Sequence, residues 1–340
     1  MNATQASDWV SALRARRDLT TEQAESLCER LFHGELSDHE GADILVRLAE
    51  KGETPEELSG FARALLRRAE KMPFDDVAVD TCGTGGSGLV RFNTSTAVAF
   101  VAAAAGVRVA KHGNRGSRRP NGSFDLLEAL GVPIELDGPR VAACLAQTNL
   151  GFLLAPRFHP VMKRLAAARK LAARRTIFNL VAPICNPARL SHRVIGAASE
   201  RDARTVGRCL ELLGERNFCC VTGHPGLDEV SLSGPSTVFG PHDTPVETLD
   251  PSELGLQIMT YEAIPGGDAI SNAPLFLDLL EGKAPPSIEH LACLSSALLL
   301  RTAGAAASLS AGLVLARELL RSGLVRAKFE QYKRVALKLA

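Results

Sequence analysis

The fold is decided by the stretch Asp80-Thr-Cys-Gly-Thr-Gly-Gly-Ser-Gly88, which continues into Phe92-Asn-Thr-Ser-Thr96. A short apolar run, Val77-Ala-Val79, precedes it and predicts a buried parallel strand. A helical pattern follows over residues 97–105. In α/β proteins, the order strand, glycine loop, helix brings backbone N–H groups and a helix N-terminus to an anion. We therefore expect a phosphate or pyrophosphate site at this loop.

A second stretch repeats this order further along the chain. The run Val107-Arg-Val-Ala110 predicts the next strand, and Lys111-His-Gly-Asn-Arg115 follows it. The stretch Asn121-Gly-Ser-Phe-Asp125 comes next, and a helical pattern that starts within it covers residues 124–130. We expect Lys111 to end the second strand and to reach the same anion as the first loop.

The glycines also allow a different kind of site. Gly83, Gly85 and Gly88 fit G-x-G-x-x-G, the dinucleotide fingerprint, which is weak evidence when it stands alone. A dinucleotide site needs a helix that opens on the loop and an acidic residue near the end of the next strand. Here Leu89-Val-Arg-Phe92 is interposed and the next strand ends in Lys111. A lysine at that position favours a phosphate over a ribose diol.

A further alternative is that the glycines only make turns. It does not explain why Asn93, Ser95 and Thr96 crowd the start of the next helix. Such side chains either contact an anion or cap the helix, and for Asn93 and Ser95 both interpretations stay open.

Composition excludes several classes of protein. The chain has 340 residues, 46% of them hydrophobic, so it is long enough for a large core and two domains. A net charge of +1 gives no general attraction to nucleic acid or to a membrane surface. The eight cysteines lack C-x-x-C spacing, and no signal peptide or membrane-length apolar run is evident. We expect a cytoplasmic globular protein with reduced cysteines.

The first seventy residues carry helix signals only. Candidate N-caps with following acidic or amide residues occur in Leu19-Thr-Thr-Glu-Gln23, Leu36-Ser-Asp-His-Glu40 and Thr54-Pro-Glu-Glu57. Gly34 and Gly52 end the first two of these helices. The pattern predicts a helical domain over residues 1–72, whose apolar faces need a partner surface.

The remainder, residues 73–340, alternates strand and helix patterns. Further strands are predicted at residues 152–155, 194–198 and 218–222, and helices at residues 162–173, 203–213 and onward from 275 and 291. The predicted fold class is therefore α/β: a small N-terminal helical domain plus a larger domain with a doubly wound, mostly parallel sheet.

Two adjacent carboxylates are the best hard-metal ligands in the chain. Asp228 and Glu229 end the loop Gly223-His-Pro-Gly-Leu-Asp-Glu229, which follows a predicted strand at the edge where α/β sites gather. Mg²⁺ usually takes one or two carboxylates plus substrate phosphates. An acidic pair on the surface is the alternative from spacing alone. We interpret His224 as a turn residue.

Together these stretches resemble one family. GTGG at 83–86, FNTSTA at 92–97, KHGNR at 111–115 and GSFDLLEALG at 122–131 are similar to the anthranilate phosphoribosyltransferase family, which shares its fold with pyrimidine nucleoside phosphorylases. The resemblance extends over the helical segment 34–61, over residues 158–179 and over 266–273. It implies transfer of a phosphoribosyl group from phosphoribosyl pyrophosphate (PRPP) to the amine of anthranilate in tryptophan biosynthesis. It also implies Mg²⁺ and a homodimer formed through the N-terminal helices and the segment near 160–180.

The resemblance assigns site residues one by one. For PRPP they are Gly83, Thr84, Gly85, Gly86, Ser87, Asn93, Ser95, Thr96, Lys111 and Ser123. For anthranilate they are Gly83, Asn114 and Arg169, with His112 and Asn114 orienting the acceptor and Arg169 binding its carboxylate. For the metal they are Ser95, Asp228 and Glu229. An aromatic amine is already nucleophilic when neutral, so no general base is assigned, and Lys111 has only an electrostatic role.

Several positions depart from the family pattern. Ser87 stands where an aspartate is usual, Arg118-Arg119-Pro120 where small residues are usual, Phe158 where tyrosine is common, and Ser295-Ser296 where an Asn-Ala pair is usual. The acceptor therefore stays open between anthranilate and another aromatic or heterocyclic compound, or a nucleoside in a phosphorylase. A non-catalytic homologue that binds nucleic acid is a third interpretation. Asp228-Glu229 and Lys111 argue against it, since a groove for nucleic acid has no use for added carboxylates.

Overall fold

A computed structural model describes residues 3–85, 87–89, 91–116, 120–242 and 244–340. Gly86 of the first glycine stretch, and Arg118 and Arg119, lie outside the described residues. The described residues form a helical N-terminal part and one large sheet covered by helices.

Within the described residues the sheet has seven strands. They are β1 Ala78–Gly83, β2 Val109–Gly113, β3 Leu150–Leu154, β4 Leu190–Gly196, β5 Phe218–Gly223, β6 Ser236–Phe239 and β7 Glu247–Leu249. Their order across the sheet is β3-β2-β1-β4-β5-β6-β7. The first five strands are parallel, and β6 and β7 extend the sheet in antiparallel pairs. The prediction of a mostly parallel sheet is confirmed.

The α-helices lie before, between and after the strands. They are α1 Ala3–Arg14, α2 Thr21–His33, α3 Asp38–Lys51, α4 Pro55–Arg67, α5 Thr94–Ala104, α6 Ser123–Ala129, α7 Gly138–Thr148, α8 Ala155–Phe158, α9 Ala166–Ala172, α10 Ile177–Val181, α11 Glu200–Leu212, α12 Ala269–Leu280, α13 Pro286–Thr302, α14 Leu309–Arg321 and α15 Leu324–Leu339. Short 3-10 helices cover Pro160–Leu165, Pro251–Leu254 and Tyr261–Ala263.

The N-terminal helices begin at the predicted caps. The side chains of Thr20, Ser37 and Thr54 each accept a hydrogen bond from the backbone N–H three residues later. The side chain of that later residue accepts one from the backbone N–H of the cap residue. Each of these capping boxes satisfies two N–H groups that would otherwise lack a partner.

Two hydrophobic cores lie on opposite faces of the sheet. Along β4, Val194 belongs to one core and Ile195 to the other, and Cys219 and Cys220 of β5 divide in the same way. This alternation is the period-two geometry of a strand buried on both faces. The first core contains buried side chains of α5, α6, α7 and α13 to α15. The second contains buried side chains of α2 to α4, α10 and α11. The sheet is therefore doubly wound, as predicted.

Several predicted boundaries were wrong. β1 runs on through Asp80 to Gly83, so the strand takes in the start of the glycine stretch. β2 includes residues 111–113, which places Lys111 inside the strand and not at its end. The predicted helix over 162–173 is a 3-10 helix, Pro160–Leu165, followed by α9. Apolar runs locate these strands but not their ends, because polar and glycine residues continue the backbone pairing.

No helix within the described part of the chain is both long and apolar enough to cross a membrane. All eight cysteines are free thiols, and all but Cys82 are buried. This agrees with their interpretation as small core residues.

Candidate active site

The strand order reverses direction at β1. From this strand the chain moves outward through β2 and β3 on one side, and it returns through β4 and β5 on the other. In open α/β sheets the crevice at the carboxyl ends of such strands is where ligands bind. The loops after β1 and β5 meet at this edge.

Asp228 joins those two loops. Its side chain is fully buried, and its Oδ2 accepts the backbone N–H of Gly85 at 2.7 Å. A Cβ on Gly83 would lie 2.3 Å from the same Oδ2, and one on Gly196 would lie 1.8 Å from the Asp228 carbonyl oxygen. These glycines are therefore required for the close approach of the acid loop to the ends of β1 and β4.

Arg91 occupies the space between the two carboxylates. Its Nη1 lies 2.5 Å from Asp228 Oδ1, and its Nε lies 3.3 Å from Glu229 Oε1. The same Nη1 donates to the hydroxyl of Ser87 at 3.3 Å. The sequence pattern assigns no role to Arg91, which lies in the segment between the glycine loop and the helix. Spacing along the chain does not reveal that its partners, Asp228 and Glu229, lie nearby in the fold.

Charge and burial oppose each other in this cluster. Burial alone would lower the pKa of Arg91, but the carboxylates of Asp228 and Glu229 outweigh it and raise that pKa. Burial alone would raise the pKa of Asp228, but Arg91 and the Gly85 amide hold it below its ordinary value. Burial raises the pKa of Glu229 despite the neighbouring guanidinium. Asp228 is thus the more firmly ionised member of the pair.

The donor chemistry at this edge fits a hard divalent cation. Asp228 and Glu229 supply two carboxylates, the number that Mg²⁺ commonly takes from protein before substrate phosphates complete its shell. No cluster of three or more His, Cys, Asp or Glu side chains suited to a metal occurs among the described residues. Ser95 lies in the first turn of α5, and within the described residues no hydrogen bond joins it to either carboxylate.

Asn93 connects three segments and does not cap α5. Its Nδ2 donates to the carbonyl of Asn121 at 2.7 Å, and its Oδ1 accepts from Nδ2 of Asn272 at 2.8 Å. Asn272 also donates to the Arg91 carbonyl at 3.0 Å. The side chain of Asn93 makes no capping bond. The alternative that Asn93 only caps the helix is therefore wrong, and Asn272 is a positioning residue that the sequence pattern did not indicate.

Two buried hydroxyls near this edge have no hydrogen-bond partner among the described residues. They are Oγ1 of Thr84, directly after β1, and Oγ1 of Thr96, in the first turn of α5. The backbone N–H of Thr84 donates to the carbonyl of Gly196 at 2.9 Å, while Gly85 itself is exposed. Unpaired buried hydroxyls are costly unless a ligand or water completes them.

Lys111 lies inside the fold. Its side chain is 1% exposed, and its Nζ donates to the carbonyl of Thr81 at 2.6 Å. Burial lowers its pKa, although the nearby carboxylate of Asp80 opposes this effect. The expectation that Lys111 presents its ammonium from a strand end is therefore corrected: pairing along β2 continues past it and turns it toward β1.

The other residues of the second stretch divide into buried and exposed positions. His112 is buried, and its ring centroid lies 5.2 Å from that of His159. Its Nε2 has no partner among the described residues. Asn114 is exposed at the end of β2. Ser123 begins α6, where its Oγ would lie 2.4 Å from a Cβ on Gly113.

Arg169 is an exposed cation on α9, in the part of the structure that packs with the N-terminal helices. Its guanidinium carbon lies 5.7 Å from the centroid of the Phe178 ring. No carboxylate among the described residues pairs with it. Partial burial lowers its pKa. An unpaired guanidinium fork of this kind suits a planar carboxylate from a ligand.

Comparison with known proteins agrees with this architecture. Residues 75–326 match the model of the glycosyl transferase family, a/b domain, and residues 7–69 match that of the glycosyl transferase family, helical bundle domain. The chain is 40% identical over 327 residues to the anthranilate phosphoribosyltransferase of Roseiflexus sp. (strain RS-1), which covers 95% of this chain and 96% of the relative. The Brevibacillus brevis enzyme of the same name is 39% identical, with 94% of each chain covered. The chain belongs to the anthranilate phosphoribosyltransferase family.

Solved structures of this family share the fold. Anthranilate phosphoribosyltransferase from Thermus thermophilus matches with a TM-score of 0.90 at 37% identity, covering 96% of this chain and 98% of that one. The Saccharomyces cerevisiae enzyme in complex with PRPP and Mg matches with a TM-score of 0.91 at 24% identity, covering 99% of both chains. At that identity the yeast structure supports the fold alone.

Proposed function

We propose that this glycosyltransferase-family enzyme transfers the phosphoribosyl group of PRPP to the amine of anthranilate and releases pyrophosphate. The observation that carries the proposal is the Asp228 carboxylate bound to the glycine-loop amide of Gly85 at the switch point of the sheet. This contact brings the acidic pair next to the glycine loop, which supports a joint metal and phosphate site in a chain 40% identical to an enzyme of that name.

The reaction sets the requirements of the site. The bond from ribose C1 to the pyrophosphate oxygen breaks, a bond from the amine nitrogen to C1 forms, and the nitrogen loses a proton. Positive charge develops on the sugar and negative charge on the departing oxygens. Catalysis therefore depends mainly on positioning and on electrostatic stabilisation of the leaving group.

On the donor side, chain groups near the carboxyl end of β1 would bind the pyrophosphate. The unpaired hydroxyls of Thr84 and Thr96 are the groups that remain available there, whereas the Gly85 N–H already donates to Asp228. Asp228 and Glu229 would hold Mg²⁺, which, when bound, neutralises phosphate charge. The yeast enzyme with the same fold was solved with PRPP and Mg.

On the acceptor side, Arg169 would bind the carboxylate of anthranilate, and Asn114 would orient the ring. Both side chains are exposed, and Arg169 has no carboxylate partner within the described residues. His112 and Lys111 are buried, so we propose that they act indirectly. Lys111 would do so by holding the Thr81 carbonyl beside the glycine loop.

Three broader expectations belong to the same proposal. The chain divides into a helical domain at residues 1–72 and a sheet domain at residues 73–340, with the segment near 160–180 packed on the first. It forms a homodimer through the helical part. It works in the cytoplasm, a location with which eight free thiols agree. Sedimentation equilibrium of the intact chain tests the dimer.

The central test measures pyrophosphate release from PRPP with Mg²⁺ and a panel of acceptors. The panel contains anthranilate, its ring-substituted analogues, and aniline, which lacks the carboxylate. A separate mixture of a pyrimidine nucleoside with phosphate, without PRPP, is followed by release of the free base. We expect release with anthranilate and far slower release with aniline, since Arg169 would then lack its partner. Turnover of the nucleoside, or equally fast pyrophosphate release with aniline and with anthranilate, would contradict the proposal.

A further inference from the structure

The guanidinium of Arg91 uses the same oxygens that a metal would need. It contacts Asp228 Oδ1 at 2.5 Å and Glu229 Oε1 at 3.3 Å, while Asp228 Oδ2 is held by the Gly85 amide. In this arrangement the pair has a resident cation.

A divalent cation cannot share this position with the guanidinium. Mg²⁺ binds carboxylate oxygens at about 2.0–2.1 Å. An ion at that distance from Asp228 Oδ1 would stand against an Arg91 nitrogen already 2.5 Å from the same oxygen. The two carboxylates carry two negative charges, whereas the guanidinium and the ion together would bring three positive ones. Repulsion between the cations in a largely buried cluster makes their binding mutually exclusive.

A guanidinium displaced from the carboxylates would lie close to the glycine loop, where the phosphates are proposed to bind. Arg91 lies between the glycine loop and α5, and its Nη1 already reaches Ser87 of that loop at 3.3 Å. Its side chain is 21% exposed, so it has access to the mouth of the site. A guanidinium fork is well suited to a phosphate.

We propose that Arg91 competes with the divalent cation for Asp228 and Glu229, and that the phosphates of PRPP relieve this competition by drawing the guanidinium away. Without PRPP the carboxylates hold Arg91 and bind metal weakly. With PRPP, Arg91 moves to a phosphate and the metal takes its place. This inference rests on the proposed metal site, and it does not depend on which acceptor is used.

The test measures binding of Mn²⁺ alone, by electron paramagnetic resonance of the free ion, to the wild type and to Arg91→Ala. In the absence of PRPP we expect Arg91→Ala to bind Mn²⁺ at least tenfold more tightly than the wild type. Adding PRPP should increase Mn²⁺ affinity markedly in the wild type and much less in the variant. Arg91→Gln, which keeps a neutral polar chain, repeats the measurement if the alanine variant folds poorly.

Two controls separate competition from other effects. Arg301→Ala removes a guanidinium that binds Glu247 at 2.7 and 2.8 Å elsewhere in the fold, and it should leave Mn²⁺ affinity unchanged. Adding Asp228→Asn to Arg91→Ala should abolish the gain. Equal or weaker Mn²⁺ binding by both Arg91 variants would overturn the proposal. A failure of the pyrophosphate assay with normal Mn²⁺ results would instead count against the proposed reaction.

Discussion

At the scale of single residues, Asp228 combines a structural contact with the metal-binding task proposed for it and for Glu229. The Asp228 carboxylate fixes the glycine loop through the Gly85 amide, and it shares Arg91 with Glu229. A substitution of Asp228 therefore changes both the position of the glycine loop and the charge around Arg91.

The acidic pair gives the first prediction. Replacing both residues, Asp228→Asn with Glu229→Gln, should lower Mg²⁺-dependent turnover by on the order of 10² to 10³, because charge stabilisation of the leaving group is lost. Steady-state release of pyrophosphate measures the effect. The matched control Glu253→Gln removes an exposed carboxylate in the 3-10 helix Pro251–Leu254 and should retain full turnover. Turnover like the wild type in the double variant would refute the assignment.

Lys111 gives a prediction about stability. Lys111→Met removes a positive charge that attracts the buried Asp80 carboxyl, together with the bond to the Thr81 carbonyl. Loss of a hydrogen bond from a charged donor in the interior costs about 1.5–3 kcal/mol. Urea unfolding should show this decrease, and Asp80→Asn in the same chain should restore part of it. A control, Lys170→Met on the exposed side of α9, should leave the unfolding midpoint unchanged. A loss below about 1 kcal/mol in Lys111→Met would contradict this role of Lys111 in stability.

Two buried histidines predict a pH dependence of stability. Burial lowers the pKa of His112 and of His159 below the ordinary value, so the unfolded chain binds protons that the folded chain does not. Their contribution is complete above the ordinary pKa, about 6.5, and is lost as the pH falls below it, by at most about 1.4 kcal/mol per pH unit for each histidine. Urea midpoints at pH 7.5 and 5.5 should therefore converge in His112→Asn. An identical pH difference in that variant and the wild type would disprove the interpretation.

At the scale of elements, close packing of loop on strand positions the site. Gly196→Ala would place a Cβ 1.8 Å from the Asp228 carbonyl oxygen and push the acid loop away from β4. We expect at least tenfold slower turnover, and a stability loss of about 1–3 kcal/mol from overpacking. Kinetics and urea unfolding measure these. In Gly207→Ala, within α11, the nearest atom to the new Cβ is a Phe218 side-chain atom at 3.3 Å, and turnover should be unaffected. Normal kinetics for Gly196→Ala would show that the loop is free to move.

At the scale of the whole molecule, the groups proposed to bind donor and acceptor come from different parts of the chain. The glycine loop belongs to the sheet, whereas Arg169 lies on α9, which packs against α3. Arg169→Met should raise the KM for anthranilate and lower kcat/KM by about tenfold to a hundredfold, the worth of a hydrogen bond to a charged group. The KM for PRPP should stay nearly constant, and the neighbouring exposed Lys170→Met serves as control. A change in the KM for PRPP alone would place Arg169 on the donor side.

Local features were predictable from the sequence because their causes are local. Capping residues satisfy N–H groups three positions away, so the starts of α2, α3 and α4 follow from Thr20, Ser37 and Thr54. The glycine loop and the acid loop were likewise found at the carboxyl ends of strands, since apolar runs indicate where buried strands lie. The fold class and the family follow from these same stretches.

The partners of the charged side chains were decided by tertiary structure alone. Arg91 pairs with Asp228 because β1 lies near β5 across the sheet. The order of strands in a sheet cannot be predicted from the spacing of residues within one segment. Lys111 lies inside the fold because β2 stays paired with β3 as far as Gly113, beyond the apolar run. The sequence thus determined which chemical groups reach this edge of the sheet. The packing of distant segments decided which of them are already paired and which remain available to a ligand.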